Sequence, residues 1–259
     1  MHREHKDGGS RHDPLVPHFT FSGQMHAAMD PALLMEIFRL RYEVYCLECH
    51  FLNPHDYEHG FETDRFDTRA FHVASLTLEG LLVGSIRLVL AEKNEQFLFQ
   101  KYCPTFNGFT FPPGDQCAEI SRLIVHADYR RRAGDSLQGV TTKFQERGYI
   151  HNLDRPAANT RHGEREERRS NNPQILLGMY REIYRFSRRN GIRYWFAAME
   201  RSLARILSSF GVNFTPIGPQ ADYYGEVMPY VANLDELESG LFKVNPFLAQ
   251  WFIEASYLH

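Results

Sequence analysis

Long apolar runs are missing from this chain. No stretch approaches the roughly 18 residues a membrane span requires, and the charged opening, Met1-His2-Arg3-Glu4-His5-Lys6, lacks the apolar core of a signal peptide. A cytoplasmic protein without a membrane span is therefore the expectation. Cysteine is scarce: four in 259 residues are too few for a disulfide framework at this size. Cys46-Leu-Glu-Cys49 has the C-x-x-C spacing, with His50, His55 and His59 behind it. No second C-x-x-C or H-x-x-x-H pair supplies the remaining zinc ligands. No metal is expected, and the pair reads as small packed hydrophobes near a helix end. Excess positive charge is absent too, since the formal net charge of −3 argues against general nucleic-acid binding. No internal repeat is found.

What is present is globular. Apolar residues make up 43% and aromatics 14%, and 259 residues suffice for a sizeable core in one large domain or two small ones. Residues 1–13 are polar and aperiodic and read as a frayed tail. Asp30-Pro31 has the form of an N-cap followed by proline at the first helical position. Helical spacing of Leu34, Ile37, Phe38, Tyr42 and Tyr45 then predicts a helix over about 31–48. "AFHVASLTL" and "LLVGSIRLVL", separated by Glu79-Gly80, predict a hairpin. A Pro/Gly/Phe-rich connection leads to the strand "CAEISRLIV", residues 117–125. Past it come a Gly/Arg turn and the amphipathic helix "SLQGVTTKFQERGY".

Residues 151–173 carry one leucine, no aromatics and mixed charge, and are read as a mobile insertion. The alternation then resumes: a helix closed by Gly191, the strand "IRYWFAAM", a helix ending at Gly211, strands near "VNFTPIG" and "YYGEVMPYV", and an aromatic helix over about 244–257. This order predicts a mixed α/β sheet covered on both faces.

Two places carry chemistry. Arg131-x-x-Gly134-x-Ser136, with Arg130 and Arg132 beside it, sets small residues and free amides at a helix N-terminus. That is either an anion site or an ordinary turn with solvated arginines. The second place is "CAEISRLIV", which buries Glu119 and Arg122 in an otherwise apolar strand, where an unpaired charge costs several kcal/mol. Residues three apart on a regular strand face opposite ways. A bulge or splay is needed for both to lean toward one pocket.

With the element order, the Arg131–Ser136 turn resembles the acyl-CoA-binding turn of the GNAT acyltransferases. Arg41-Tyr-Glu-Val-Tyr45 is similar to the arginine-aromatic motif of the acyl-homoserine-lactone synthases. Asp64-Arg-Phe-Asp67 is similar to their D-x-x-D, Arg87 in "GSIRLVL" to their strand arginine, and Glu119-Ile-Ser121-Arg122 to their E-x-S-R. The C-terminal part, with "YWFAAMERSLARIL" and "IGPQADYYGEVMP", looks more like the N-acyl amino acid synthases and exosortase-associated acyltransferases. The resemblance spans about 30–230. One departure is Phe51, where the lactone synthases usually carry tryptophan. With the long insertion and the extra C-terminal helix, it favours a linear N-acyl product over a lactone.

The resemblance implies a single GNAT-like α/β domain over 14–259, with a mixed central sheet and a splayed strand admitting the pantetheine arm of the donor. It implies Glu119 as the group that orients or deprotonates an acceptor amine. Arg122 would pair with Asp64 or Asp67 to hold the pocket, and Arg41 or Arg87 would recognise an acceptor carboxylate. Tyr45, Phe51 and Ser121 complete the acceptor side. Amides of Leu123, Ile124 and Val125 would bind the thioester and its oxyanion, with Arg130, Arg131, Arg132, Gly134 and Ser136 on the donor. The expected co-substrates are an acyl carrier protein or coenzyme A thioester and a small amine, with no tightly bound cofactor. Phe97, Leu98, Phe99, Phe106, Phe109, Phe111, Trp195 and Phe196 line an acyl tunnel or are simply core. The competing readings are an acetyl-CoA-dependent N-acetyltransferase, a homoserine-lactone synthase, a silent acyl-binding module, and an ion-pair network with no catalytic member.

Overall fold

The computed structural model describes residues 13, 15–93, 95–129 and 172–254. Eight strands form one sheet: β1 (Phe19–Met25), β2 (Ala70–Thr77), β3 (Leu82–Leu90), β4 (Cys117–Val125), β5 (Tyr194–Met199), the two-residue β6 (Thr215–Pro216) and β7 (Ala221–Asp222), and β8 (Glu226–Asn233). The order is β1-β2-β3-β4-β5-β8-β6, with β7 paired to the start of β8. Every pairing is antiparallel except β4 with β5. The helices are α1 (Pro31–Tyr42), the single turn α2 (Phe99–Tyr102), α3 (Asn172–Arg189), α4 (Arg201–Ser209), α5 (Leu234–Val244) and α6 (Pro246–Ile253).

Local sequence explains most of these boundaries. The Asp30 carboxylate accepts the Ala32 amide at 2.9 Å, with Pro31 opening α1 as expected. The helical path continues as a π-turn over Glu43–Glu48, so the predicted 31–48 segment is α-helical only in its first twelve residues. Left-handed glycines close α3 at Gly191 (φ 73°) and α4 at Gly211 (φ 88°). Strand alternation then distributes the core. Phe71 and Val73 of β2 join the large cluster with Tyr180 and Ile183 of α3, whereas Ala74 meets Leu34, Ile37 and Phe38 of α1. The two helices therefore cover opposite faces of the sheet.

Ahead of α1, Leu15 and Val16 are core, and β1 adds an edge strand to β2. Asp13, assigned above to a frayed tail, accepts bonds from Arg181 at 2.6 Å and from the Trp251 indole at 2.8 Å. The closing aromatic helix expected over about 244–257 is found as α6, and a further helix, α5, precedes it, the two separated at Asn245-Pro246. Residues 1–12, the Arg130–Ser136 turn with the helix behind it, and 151–171 of the insertion lie outside the described residues.

Candidate active site

The β4–β5 pairing explains why charge sits in an apolar strand. The two strands are bonded from Cys117↔Tyr194 to Ile120↔Ala197 and no further. Beyond that point β5 pairs only with β8, and β4 only with β3. The strands part there, leaving a cavity of about 340 Å³ between their ends.

A bulge in β4 sits at the same place. Its register with β3 steps from Arg87↔Ser121 to Ser85↔Ile124, so β4 holds one extra residue opposite Ile86. Arg122 absorbs it with φ of 50°, a left-handed conformation costing a non-glycine residue about 1 kcal/mol. The consequence is a change of face. Ala118 and Ile120 point into the α3 core, and a regular strand would send Arg122 after them. With the bulge, Arg122 joins Glu119 and Ser121 on the α1 face, and both charged residues reach the cavity.

On that face, three arginines meet three acids. Arg41 from α1 holds Asp67 at 2.7 Å and pairs with Glu62. Arg87 from β3 reaches Asp64 at 2.7 Å, Asp67 at 2.8 Å and the Ser121 hydroxyl at 3.0 Å. Arg122 chelates Glu62 at 2.8 and 3.1 Å and touches Asp64 at 3.2 Å. Burial alone would raise the carboxyls, but the guanidiniums hold Glu62, Asp64 and Asp67 below the usual carboxylate range. His72 stands behind Asp67, its Nε2 at 3.3 Å from the Asp67 carbonyl oxygen, and burial drops its pKa to about 4. Arg122 partners Asp64, as one expectation had it, but not Asp67, which Arg41 and Arg87 occupy. Arg41 and Arg87 are 0% and 1% exposed, bound up in this network and away from the cavity wall, where an acceptor carboxylate would need them. Glu62 was missed: it lies in a polar loop two residues before the D-x-x-D, and no spacing rule marked it.

Glu119 stands apart from the network. It is 1% exposed and accepts the amides of Leu98 at 2.8 Å and Phe99 at 3.3 Å, with no arginine bonded to it. Burial pushes its pKa up to about 7 against the lowering pull of Arg87, the two amides and Arg122. A carboxyl that titrates near neutrality beside a cavity can take and release protons at cellular pH.

The remaining walls are aromatic. The π-turn aims Tyr45 at the cavity, Phe51 packs on Tyr45 at 6.4 Å, and the Arg122 guanidinium lies over the rings of both Tyr45 (5.4 Å) and Tyr224 (5.0 Å). Leu123, Ile124 and Val125 form the β4 edge. The His126 amide donates to Val83 at 2.8 Å, which sets the phase of the β3–β4 ladder. By strand alternation Ile124 shares that direction, and the amides of Leu123 and Val125 turn toward the gap. Phe97, Phe99 and Phe196 pack with Cys103 and Cys117 in a cluster next to Glu119, Phe109 lies against it, and Phe111 packs tilted against Phe196 at 5.5 Å. Trp195 belongs to the large core on the other face. All four cysteines are free thiols, Cys46, Cys103 and Cys117 being buried.

Comparison with known proteins matches this architecture. Residues 40–139 fit the model of an acetyltransferase (GNAT) domain family. The AHL synthase LasI superposes with a TM-score of 0.56 at 14% identity, covering 88% of this chain and 96% of its own. BjaI, a CoA-dependent acyl-homoserine lactone synthase solved with SAM and isopentyl-CoA, gives 0.57 at 17%, covering 87% and 89%. MesI, another CoA-dependent synthase of that kind, gives 0.54 at 16%, covering 92% and 97%. No curated protein sequence matches the chain. The chain is a single GNAT-like α/β domain. Its fold is similar to that of the acyl-homoserine lactone synthases over most of its length.

Proposed function

We propose that this protein is an N-acyltransferase that moves a long-chain fatty acyl group from a thioester, on acyl carrier protein or coenzyme A, to the amine of an amino acid or related small molecule. The observation that carries this reading is the parting of β4 from β5 beside Glu119, a buried carboxyl with no guanidinium bonded to it. An ammonium group has no lone pair, so a proton must leave before nitrogen can attack. An ordinary glutamate, near 4.3, is mismatched by more than three units to an α-amino group at about 8. Glu119, at about 7, is within roughly one unit. The transfer from nitrogen to carboxylate is then nearly balanced.

The rest follows from position. The freed nitrogen forms a bond to the thioester carbon, and the carbonyl oxygen takes up negative charge against the amides of Leu123 and Val125. Collapse breaks the C–S bond, and the departing thiolate takes the second proton shed by nitrogen. Glu119 returns the first to solvent. Arg122, fixed by Glu62 and Asp64, keeps the bulge in place. A cavity of about 340 Å³ exceeds twice the roughly 150 Å³ that admits benzene, so an amine and the reacting end of a donor fit together. Small apolar residues at the parting, Ala197 and Ala198, leave an apolar path for a chain.

The test is direct. Purified protein is given hexadecanoyl-CoA or the same acyl group on acyl carrier protein, with the common amino acids, their decarboxylated amines and S-adenosylmethionine as acceptors. Mass spectrometry is expected to show a linear N-acyl product that Glu119→Gln does not form. A lactone from S-adenosylmethionine alone would make it a lactone synthase. An acetyl-only preference would make it an N-acetyltransferase.

A further inference from the structure

The hairpin that joins β7 to β8 lines the same cavity as Glu119, and its residues have no part in the chemistry above. Tyr223 lines the cavity, and its hydroxyl is buried without a hydrogen-bond partner among the described residues. An unsatisfied buried hydroxyl destabilises a fold, so one carried by a residue of the cavity wall is suited to a group that enters there. The ring is held firmly: it stacks on Tyr102 with centroids 4.9 Å apart and planes 7° off parallel, and on Tyr224 at 4.5 Å. The turn that presents it is strained, with Tyr224 at φ 54° where glycine would be at ease, followed by Gly225 at 95°. A strained turn carrying two aromatic rings into a cavity is a feature of ligand-facing loops.

The chemistry of the group narrows its role. Burial and the nearby Glu119 charge both raise the Tyr223 pKa, so the phenol stays neutral. A thiolate, whose acid has a pKa near 8.5, is too weak a base to take its proton. The phenol oxygen instead offers lone pairs to an N–H. Resting on the acyltransfer reading, we propose that Tyr223 is an acceptor-amine binding residue: its hydroxyl oxygen accepts one N–H of the substrate amine while the Glu119 carboxylate accepts another, which fixes the nitrogen at the mouth of the β4–β5 gap.

The experiment uses Tyr223→Phe, which keeps the ring and its stacking, with hexadecanoyl-CoA and whichever amine of the panel above gives most product. Loss of one hydrogen bond to a charged nitrogen is expected to raise KM for the amine about tenfold and leave KM for the thioester unchanged. Because the hydroxyl has no partner in the unliganded protein, the melting temperature is expected to stay the same or rise. An unchanged amine KM overturns the proposal. So does a lowered melting temperature with both KM values raised together, which would mark a structural hydroxyl. Product from no amine with the unmodified protein sinks the acyltransfer reading itself, and this assignment with it.

Discussion

Glu119 and Arg122 stand three residues apart on β4, yet their surroundings are opposite. Arg122 is matched by two acids and lies over two tyrosine rings, within a network of three guanidiniums and three carboxylates. Glu119 has two backbone amides and no bonded cation. Buried pairs of opposite charge offset each other's desolvation but do not become reactive, because each partner is held in its charged state. A lone buried carboxyl is destabilised in its charged form, and that makes it a base near neutral pH. One side of the bulge is scaffold, and the other is where the proposed proton transfer would take place.

The most severe way to break the comparison acts on the reactive side. Glu119→Gln is expected to lower turnover about 100- to 10,000-fold, with urea unfolding at about pH 4.5, where the folded protein keeps Glu119 protonated, shifted by only about 1 kcal/mol for the backbone bond a carboxamide cannot accept. A stability loss as large as the activity loss would place Glu119 with the scaffold. Next comes Asp67→Asn, which strips the acid shared by Arg41 and Arg87. It should cost about 3–5 kcal/mol in denaturant unfolding. A cost below about 1 kcal/mol would mean that the network does not hold the site.

The pH dependence sharpens the contrast further. In the folded protein Glu119 binds its proton more tightly than in the unfolded chain, so its contribution falls as pH rises from about 4.5 to about 7. His72 does the reverse: its folded pKa of about 4 lies below the unfolded value, so its contribution rises over pH 4 to 6.5. Each is worth roughly 3 kcal/mol at most, and stability should be nearly flat between pH 4.5 and 6.5. Glu119→Gln removes one of the two and should uncover a rise with pH, measured as urea midpoints across that range. Below about pH 4, Glu62, Asp64 and Asp67 regain protons that the folded network excludes, and stability should drop steeply. The smallest effect expected is Phe51→Ala. This ring is 40% exposed at the cavity edge, and its loss should change the amine KM a few-fold with under about 1 kcal/mol in stability.

Much of this was legible in the sequence because local rules carry it. The hairpin around Gly80, the closures at Gly191 and Gly211, and the need for a bulge between Glu119 and Arg122 all follow from backbone geometry and strand alternation. What escaped depends on distant partners. "FTFSGQM" has serine and glycine at its centre and becomes a strand only because β2 offers an open edge. "LDELESGLFKV" carries a mid-helix glycine, and Gly240 fits because a Cβ there would come within 2.9 Å of the Gly211 carbonyl oxygen, leaving no room for a side chain. Glu62 looked like any loop acid until Arg41 and Arg122 closed on it. The expectation that Arg41 or Arg87 would greet a carboxylate meets the same limit: a sequence shows a guanidinium but not how many acids already surround it.

The most direct measurement is a crystal structure with a thioether analogue of hexadecanoyl-CoA. The carbon chain is expected between the ends of β4 and β5, with the carbonyl oxygen on the amides of Leu123 and Val125 and the Glu119 carboxyl facing the same carbon. An analogue seated elsewhere, with β4 and β5 joined along their whole length, would contradict the account.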